Sequence, residues 1–143
     1  MEKNKDIPGI IKGIYKELES NKKVLKNLKD IIDKEDTLDN ELLDRIYRIY
    51  RSFKFDYYQS HYYSSNVQSL TPQSIKDIIR KSYIDDLDQI KQRIDELHEH
   101  YNSNVNKNIK DEYKNFCDFV NHVYLSLEES MQRIRSYYQS ISK

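Results

Sequence analysis

The chain has 143 residues, and its 24 Lys and Arg balance 24 Asp and Glu, so the net charge is zero. This length fits a single domain over residues 1–143, and zero net charge provides no overall field to attract nucleic acid or an anionic membrane. One cysteine rules out a disulfide framework, and two glycines cannot build a phosphate-binding loop or a dinucleotide fingerprint.

The N-terminal residues and the hydropathy of the chain bear on its compartment. The first six residues are mostly charged and lead into no apolar run with a cleavage site, so we expect no signal peptide. No apolar stretch approaches the roughly 20 residues needed to span a bilayer. The lone Cys117 fits a reducing compartment. We therefore expect a cytoplasmic protein without a membrane partner, in the host cytoplasm if it is viral.

The first predicted helix covers residues 7–33. Its apolar residues recur at steps of four and three, which is typical of a helix buried along one side. This seam consists of Ile7, Ile11, Ile14, Leu18, Leu25, Leu28 and Ile32. Asn21 interrupts it. A small kink or turn at Ser20 and Asn21 is the simpler interpretation, and a buried Asn that sets the register of a coiled coil is the alternative.

The second predicted helix covers residues 38–63. It follows a short polar break in which Asp36, Thr37 and Asp39 can each act as an N-cap. One face of this helix is apolar or aromatic and is expected to point into the core. The face consists of Leu42, Ile46, Ile49, Tyr50, Phe53 and Tyr57.

The third predicted helix covers residues 72–101 and has the clearest start signal in the chain. Thr71 is a suitable N-cap, and Pro72 is favourable at the first helical position because its missing N–H needs no partner there. Leu70 and Ile75 have the spacing of a hydrophobic staple.

The fourth predicted helix covers residues 105–140, with a helical apolar period of more than 30 residues. No segment shows the alternation of a strand or a glycine-rich hairpin turn. Long helices joined by short loops predict an all-α fold, an elongated antiparallel bundle of about four long helices.

The outer face of the second predicted helix is the main candidate for a binding surface. At 100° per residue, several aromatic and basic residues fall roughly opposite the core face, between about 200° and 300° from Arg45. These residues are Tyr47, Arg48, Arg51, Phe55, Tyr58 and Tyr62. Tyr and Arg are enriched at protein interfaces, and aromatic rings beside Arg also suit single-stranded nucleic acid. Amphipathic tyrosines of an AT-rich coding sequence are the structural alternative.

These features favour a non-enzymatic interaction or assembly subunit. We expect it to bind a protein partner or a second copy of itself through the aromatic-basic face of the second helix. Binding of nucleic acid through a local patch at Arg48 and Arg51 is possible.

Arg93 and His98 are separated by four residues in the third predicted helix. This Arg-x4-His spacing resembles the motif of HEPN-type helical RNases and toxins, which are small all-helical domains of similar length. The resemblance implies RNA cleavage by Arg93 and His98 at a dimer interface. The family often has a polar residue after the Arg, where this chain has Ile94. An exposed Arg and a His favoured by a helix C-terminus are the structural alternative.

A second resemblance covers about 30 residues. The segments 43–46, 51–53 and 70–72 resemble the helical domain of one type of GINS replication subunit. The Arg-rich end of that family's helix is replaced here by residues 55–58, and no small β-domain follows. The small helical subunits of type III CRISPR effectors are similar in size and composition. Both resemblances imply a small subunit of a nucleic-acid-processing complex.

Two pairs of side chains have the spacing of metal ligands on one helix face: Asp95 with His98, and Asp118 with His122. If the third and fourth helices are antiparallel, the two pairs lie about 20 Å apart. They cannot share an ion within that pair of helices, so we expect no metal site and no cofactor.

Overall fold

The computed structural model describes residues 2–103 and 108–142, with side chains described from residue 7 onward. These residues are helical almost throughout and contain no strand, which confirms the predicted all-α class. In chain order the elements are α1 (Glu2–Asp33), α2 (Asn40–Tyr50), α3 (Asp56–His61), α4 (Ser65–Leu70), α5 (Gln73–Arg80), a π-helical segment (Lys81–Leu87), α6 (Asp88–Asn102) and α7 (Ile109–Ile141).

Three of the four predicted helices have close counterparts. The first corresponds to α1, and the third corresponds to α5, the π-helical segment and α6, whose junctions keep right-handed helical backbone angles. The fourth corresponds to α7, with its predicted residues 105–107 outside the described part of the chain. In the ranges that the structure describes, no helix combines the length and apolar character needed to cross a bilayer.

The long helices α1 and α7 pack antiparallel along most of their length. Tyr113, near the start of α7, donates its hydroxyl to the Glu35 carbonyl oxygen at 2.9 Å, while Lys22 pairs with Glu128 at 3.0 Å further along. All seven predicted seam residues of α1 are buried. At 1.5 Å per residue, its 32 residues span roughly 48 Å, so the bundle is elongated as predicted.

The predicted turn at Ser20 and Asn21 does not form, because α1 is one α-helix through both residues. Asn21 is fully buried in the seam, and its side-chain amide pairs with the backbone of Lys54. Asn21 Nδ2 donates to the Lys54 carbonyl oxygen, and the Lys54 N–H donates to Asn21 Oδ1, both at 2.7 Å. The alternative of a buried Asn is therefore correct as to burial, but its partner is a loop backbone rather than a second Asn.

The second predicted helix, residues 38–63, is wrong as a continuous element. It ends at Tyr50, and α3 and α4 follow as two helices of six residues each. The connection is held from α1, where Glu17 lies one turn before Asn21. Glu17 accepts the N–H of Tyr57 at 2.7 Å and the N–H of Tyr58 at 3.0 Å, which caps the start of α3.

Candidate interaction surface

Half-buried rings between α2 and α6 form a ladder that contains part of the predicted face. His98 stacks on Tyr47 with ring centres 4.5 Å apart, and Tyr47 stacks on Tyr50 at 5.3 Å. The Lys91 ammonium lies 5.0 Å from the ring centres of both Tyr50 and Phe55. Lys91 thus bridges the stacked rings of α2 and α6 to Phe55, and these contacts fix the rings within the folded chain.

The ladder continues into a cluster of tyrosines beneath α3. Phe55 contacts Tyr83 edge to face at 5.7 Å, and Tyr83 stacks on Tyr58 at 4.1 Å. Tyr58 stacks on Tyr62 at 4.8 Å and meets the edge of Tyr63 at 5.8 Å. We call the whole series, from His98 to Tyr63, the aromatic chain.

The buried end of the aromatic chain contains well-satisfied hydroxyl groups. Tyr83 donates to Glu17 at 2.7 Å, and Tyr62 donates to the Lys76 carbonyl oxygen at 2.9 Å. Burial is the main cause that raises the pKa of Tyr58, Tyr62 and Tyr83 above 10.0, so all three stay neutral.

The six residues predicted as one outer face do not form one surface. Tyr58 and Tyr62 are buried in the core, only 2% and 4% exposed, which corrects their assignment to an exposed face. The cause is the break after Tyr50, which changes the direction of the chain so that the 100° rule no longer applies across it. Tyr47 and Phe55 are half-buried.

The two arginines of the predicted face remain on the surface. Arg48 pairs with Asp44 one turn earlier on α2, so its charge is largely balanced. Arg51 directly follows α2 as its C-terminal cap. The positive patch expected at Arg48 and Arg51 is therefore half neutralised within the chain.

A surface that the sequence interpretation missed overlaps the end of the predicted face and continues beyond it. Residues 57–75 contain no Asp, Glu, Lys or Arg, although 34% of the whole chain is charged. They cover α3 after its first residue Asp56, α4 and the start of α5, and we call this part of the surface the uncharged corner. Two large apolar side chains stand out from it, Tyr63 at 61% and Leu70 at 49% exposure. The gap in charge along the sequence was the signal that could have located it.

Three hydrogen bonds in a closed cycle hold the uncharged corner to α5. Tyr62 Oη donates to the Lys76 carbonyl oxygen, Lys76 Nζ donates to the Gln68 carbonyl oxygen at 2.7 Å, and Gln68 Nε2 donates to the Tyr62 carbonyl oxygen at 2.7 Å. The predicted cap at Thr71 is displaced by one residue: Pro72 occupies the N-cap position, and Thr71 Oγ1 is buried without a hydrogen-bond partner among the described residues.

Arg93 and His98, the residues of the HEPN-like spacing, contact different neighbours. The Arg93 guanidinium lies 3.9 Å from the ring centre of Phe119 on α7, whereas His98 stacks on Tyr47 of α2. Side chains five residues apart on a regular helix diverge by about 140°. The fold of one chain therefore does not bring Arg93 and His98 together.

Other polar groups form local pairs. Asp86 in the π-helical segment is buried and accepts from Lys81 at 3.2 Å and from Ser126 at 3.1 Å. Burial is the main cause that raises the pKa of Cys117 above 9.0, which keeps its thiol protonated and weakly reactive. Within residues 2–103 and 108–142, no group of three or more His, Cys, Asp and Glu side chains is placed to hold a metal ion.

Comparison with models of protein families, with curated proteins and with solved structures finds no match to this chain. Its function therefore has to be inferred from its own residues, and the uncharged corner with the aromatic chain beneath it is the surface on which that inference rests.

Proposed function

We propose that this protein is a non-enzymatic interaction subunit of the cytoplasm that binds a protein partner through the uncharged corner. The class of function is the one expected from the sequence. The proposed surface lies on the two short helices α3 and α4 rather than on the outer face of the second predicted helix. Tyr58 and Tyr62 are buried and form the floor beneath this surface, so they cannot be its contact face.

The composition of the uncharged corner is the observation that carries this proposal. The cores of protein interfaces are poor in charged residues and rich in tyrosine. Residues 57–75 have no Asp, Glu, Lys or Arg and contain four tyrosines, 57, 58, 62 and 63. Exposed Tyr63 and Leu70 supply apolar area within a polar surround of Ser, Asn and Gln, a composition that adapts well to a partner.

The packing beneath the corner supports the same proposal. Tyr63 rests on Tyr58 and Tyr62, whose rings are buried and stacked, so its position is fixed before any partner binds. A fixed aromatic side chain loses less conformational entropy on binding, and this increases affinity. The aromatic chain thus supplies a rigid support for the exposed ring.

Site-specific photo-crosslinking tests the proposal. A photoreactive phenylalanine derivative is introduced at Tyr63, and in a matched control protein at Leu125, the third large apolar side chain in the described residues that is strongly exposed. Both proteins are irradiated in cells of the source organism. We expect a discrete protein adduct from position 63 that is absent from position 125 and is lost when Leu70→Asp is added.

The mass of the adduct identifies the partner, and an adduct of twice the chain mass identifies a second copy of this protein. Equal adducts from positions 63 and 125, or no adduct from position 63, would contradict the proposal. Leu70 is about half exposed, so Leu70→Asp should leave the free energy of unfolding within about 0.5 kcal/mol of the parent protein.

A further inference from the structure

Lys76 is a buried cation at the edge of the uncharged corner, and no carboxylate among the described residues pairs with it. Only 8% of this residue is exposed to solvent. Its ammonium has three N–H donors, and the hydrogen bond it makes is to the Gln68 carbonyl oxygen. In the part of the chain that the structure describes, Lys76 forms no ion pair with Asp or Glu.

Arg80 adds a second cation one turn further along α5. It is exposed and forms no ion pair among the described residues. The helices α3 to α5, residues 56–80, thus contain Lys76 and Arg80 beside two carboxylates, Asp56 and Asp77, and Asp77 accepts a hydrogen bond from Gln73 at 2.7 Å.

An anion would complete this arrangement. A buried charge is costly unless it is paired and hydrogen-bonded, and Lys76 has donors left for an acceptor. Lys and Arg four residues apart lie on one face of a helix, so a single carboxylate can accept from both. Charge-assisted hydrogen bonds of this kind are stronger than neutral ones.

The surroundings favour a peptide carboxylate over a nucleic-acid phosphate. Nucleic acid binding depends on neutralising several phosphates, and α3 to α5 offer only two cations, Lys76 and Arg80, beside the carboxylates of Asp56 and Asp77. Tyr63 and Leu70 instead offer exposed apolar area beside the cations, which suits an apolar side chain next to a carboxylate.

We propose that the uncharged corner binds a peptide segment in which an aromatic or large apolar side chain lies next to a carboxylate. The apolar side chain packs on Tyr63 and Leu70, and Lys76 and Arg80 bind the carboxylate. This inference rests on the proposed function and adds the chemistry of the partner.

NMR titration of the full-length ¹⁵N-labelled protein tests the proposal with two probes. N-acetylphenylalanine carries the carboxylate, and N-acetylphenylalanine amide is its neutral match. A ligand of this size is expected to bind with a Kd of about 1 mM. We expect N-acetylphenylalanine to shift the amide signals of the corner, and the neutral amide to bind about tenfold more weakly.

Substitution of each cation assigns the effect. Arg80→Gln changes an exposed residue and should weaken carboxylate binding without unfolding the protein, while Lys76→Gln should weaken it further. Arg135→Gln removes an exposed cation on α7 and serves as the matched control. The preference for the carboxylate should disappear in Lys76→Gln combined with Arg80→Gln and persist in Arg135→Gln.

Three results would overturn the proposal. Equal binding of both probes would show that the corner does not recognise the carboxylate. The proposal that the corner binds a protein would still stand. A lack of shifts at the corner with either probe rejects the ligand chemistry, while crosslinking at Tyr63 still tests the proposed function by itself. Tighter, salt-dependent binding of a single-stranded oligothymidylate at the same signals would assign the corner to nucleic acid instead.

Discussion

The antiparallel pair α1–α7 and the connection between α2 and α5 are built by different means. The pair consists of two uninterrupted helices of 32 and 33 residues whose contact is a repeating aliphatic seam. The connection consists of α3 and α4, six residues each, packed through stacked tyrosines and tied by hydrogen bonds to other elements.

The difference shows where this chain derives its stability and where it can derive specificity. An aliphatic seam tolerates a change of similar volume, and its solvent-facing side is heavily charged. In the connection, short helices cannot satisfy their own backbone groups, so Asn21 and Glu17 of α1 do it from a distance. That support leaves an uncharged, shaped surface available for binding.

Loss of the Asn21 amide should produce the largest effect. Asn21→Ala removes both hydrogen bonds to the Lys54 backbone and leaves a gap at the fully buried position 21, and we expect the free energy of unfolding to fall by about 3 kcal/mol. Urea denaturation measures it. Asn27→Ala changes an exposed Asn on the same helix and should stay within about 0.5 kcal/mol. Equal values for the two variants would mean that α1 does not hold the connection.

Neutralising Glu17 should have the next largest effect. In Glu17→Gln one carboxylate oxygen becomes an amide NH₂, which cannot accept, so at least one of the bonds from Tyr57, Tyr58 and Tyr83 is lost. We expect a loss of about 2 kcal/mol in the free energy of unfolding. Glu19→Gln, at an exposed position of α1, is the control. An unchanged free energy of unfolding in Glu17→Gln would show that α3 begins without support from α1.

The two glycines of α1 should respond to alanine in opposite directions. A Cβ at Gly13 would overlap the ring of Tyr57, whereas a Cβ at Gly9 meets nothing within 4 Å. Alanine is the better helix former by about 1 kcal/mol, so Gly9→Ala should be stabilising. Gly13→Ala displaces Tyr57 and should cost about 1 kcal/mol in thermal or urea unfolding. Stabilisation by both substitutions would show that α3 does not depend on close contact with α1.

The smallest effect on stability is expected at the pair of His100 on α6 and Glu112 on α7. His100 Nδ1 lies 2.8 Å from Glu112 Oε1. The hydrogen bond that His100 Nδ1 donates to the Glu112 carboxylate is the main cause that raises the pKa of His100 above 6.5. The contribution to stability is therefore fully present below pH 6.5 and is lost as the pH rises through the folded-state pKa.

NMR titration of the His100 ring measures that pKa directly. Glu112→Gln should return it toward 6.5. The same pKa in both proteins would show that the pair does not form in solution.

The helical seams were predictable because their signal is local and repeated. Ile11, Leu18 and Leu28 lie at helical spacing, and any partner helix would bury them in the same way. The break after Tyr50 was not predictable by this reasoning. No Gly or Pro marks it, and the side chains that replace the lost helical hydrogen bonds come from 33 and 40 residues away.

The aromatic composition of the candidate surface was predictable from the sequence, but its exposed residues were not. A concentration of tyrosine in residues 47–63 indicated an aromatic site, and the absence of charge in residues 57–75 is visible in the sequence. Which ring is exposed could not be predicted, since Tyr62 and Tyr63 are neighbours in the chain and only one of them is buried.

The all-α class, the seams of the long helices and the composition of the uncharged corner thus follow from residue type and spacing alone. Tertiary structure decided that Tyr58 and Tyr62 form the floor, that Tyr63 and Leu70 are exposed, and that Lys76 is buried without a carboxylate partner among the described residues. These features depend on contacts with α1 and α5 that bring together residues distant in sequence, and no local pattern records such contacts.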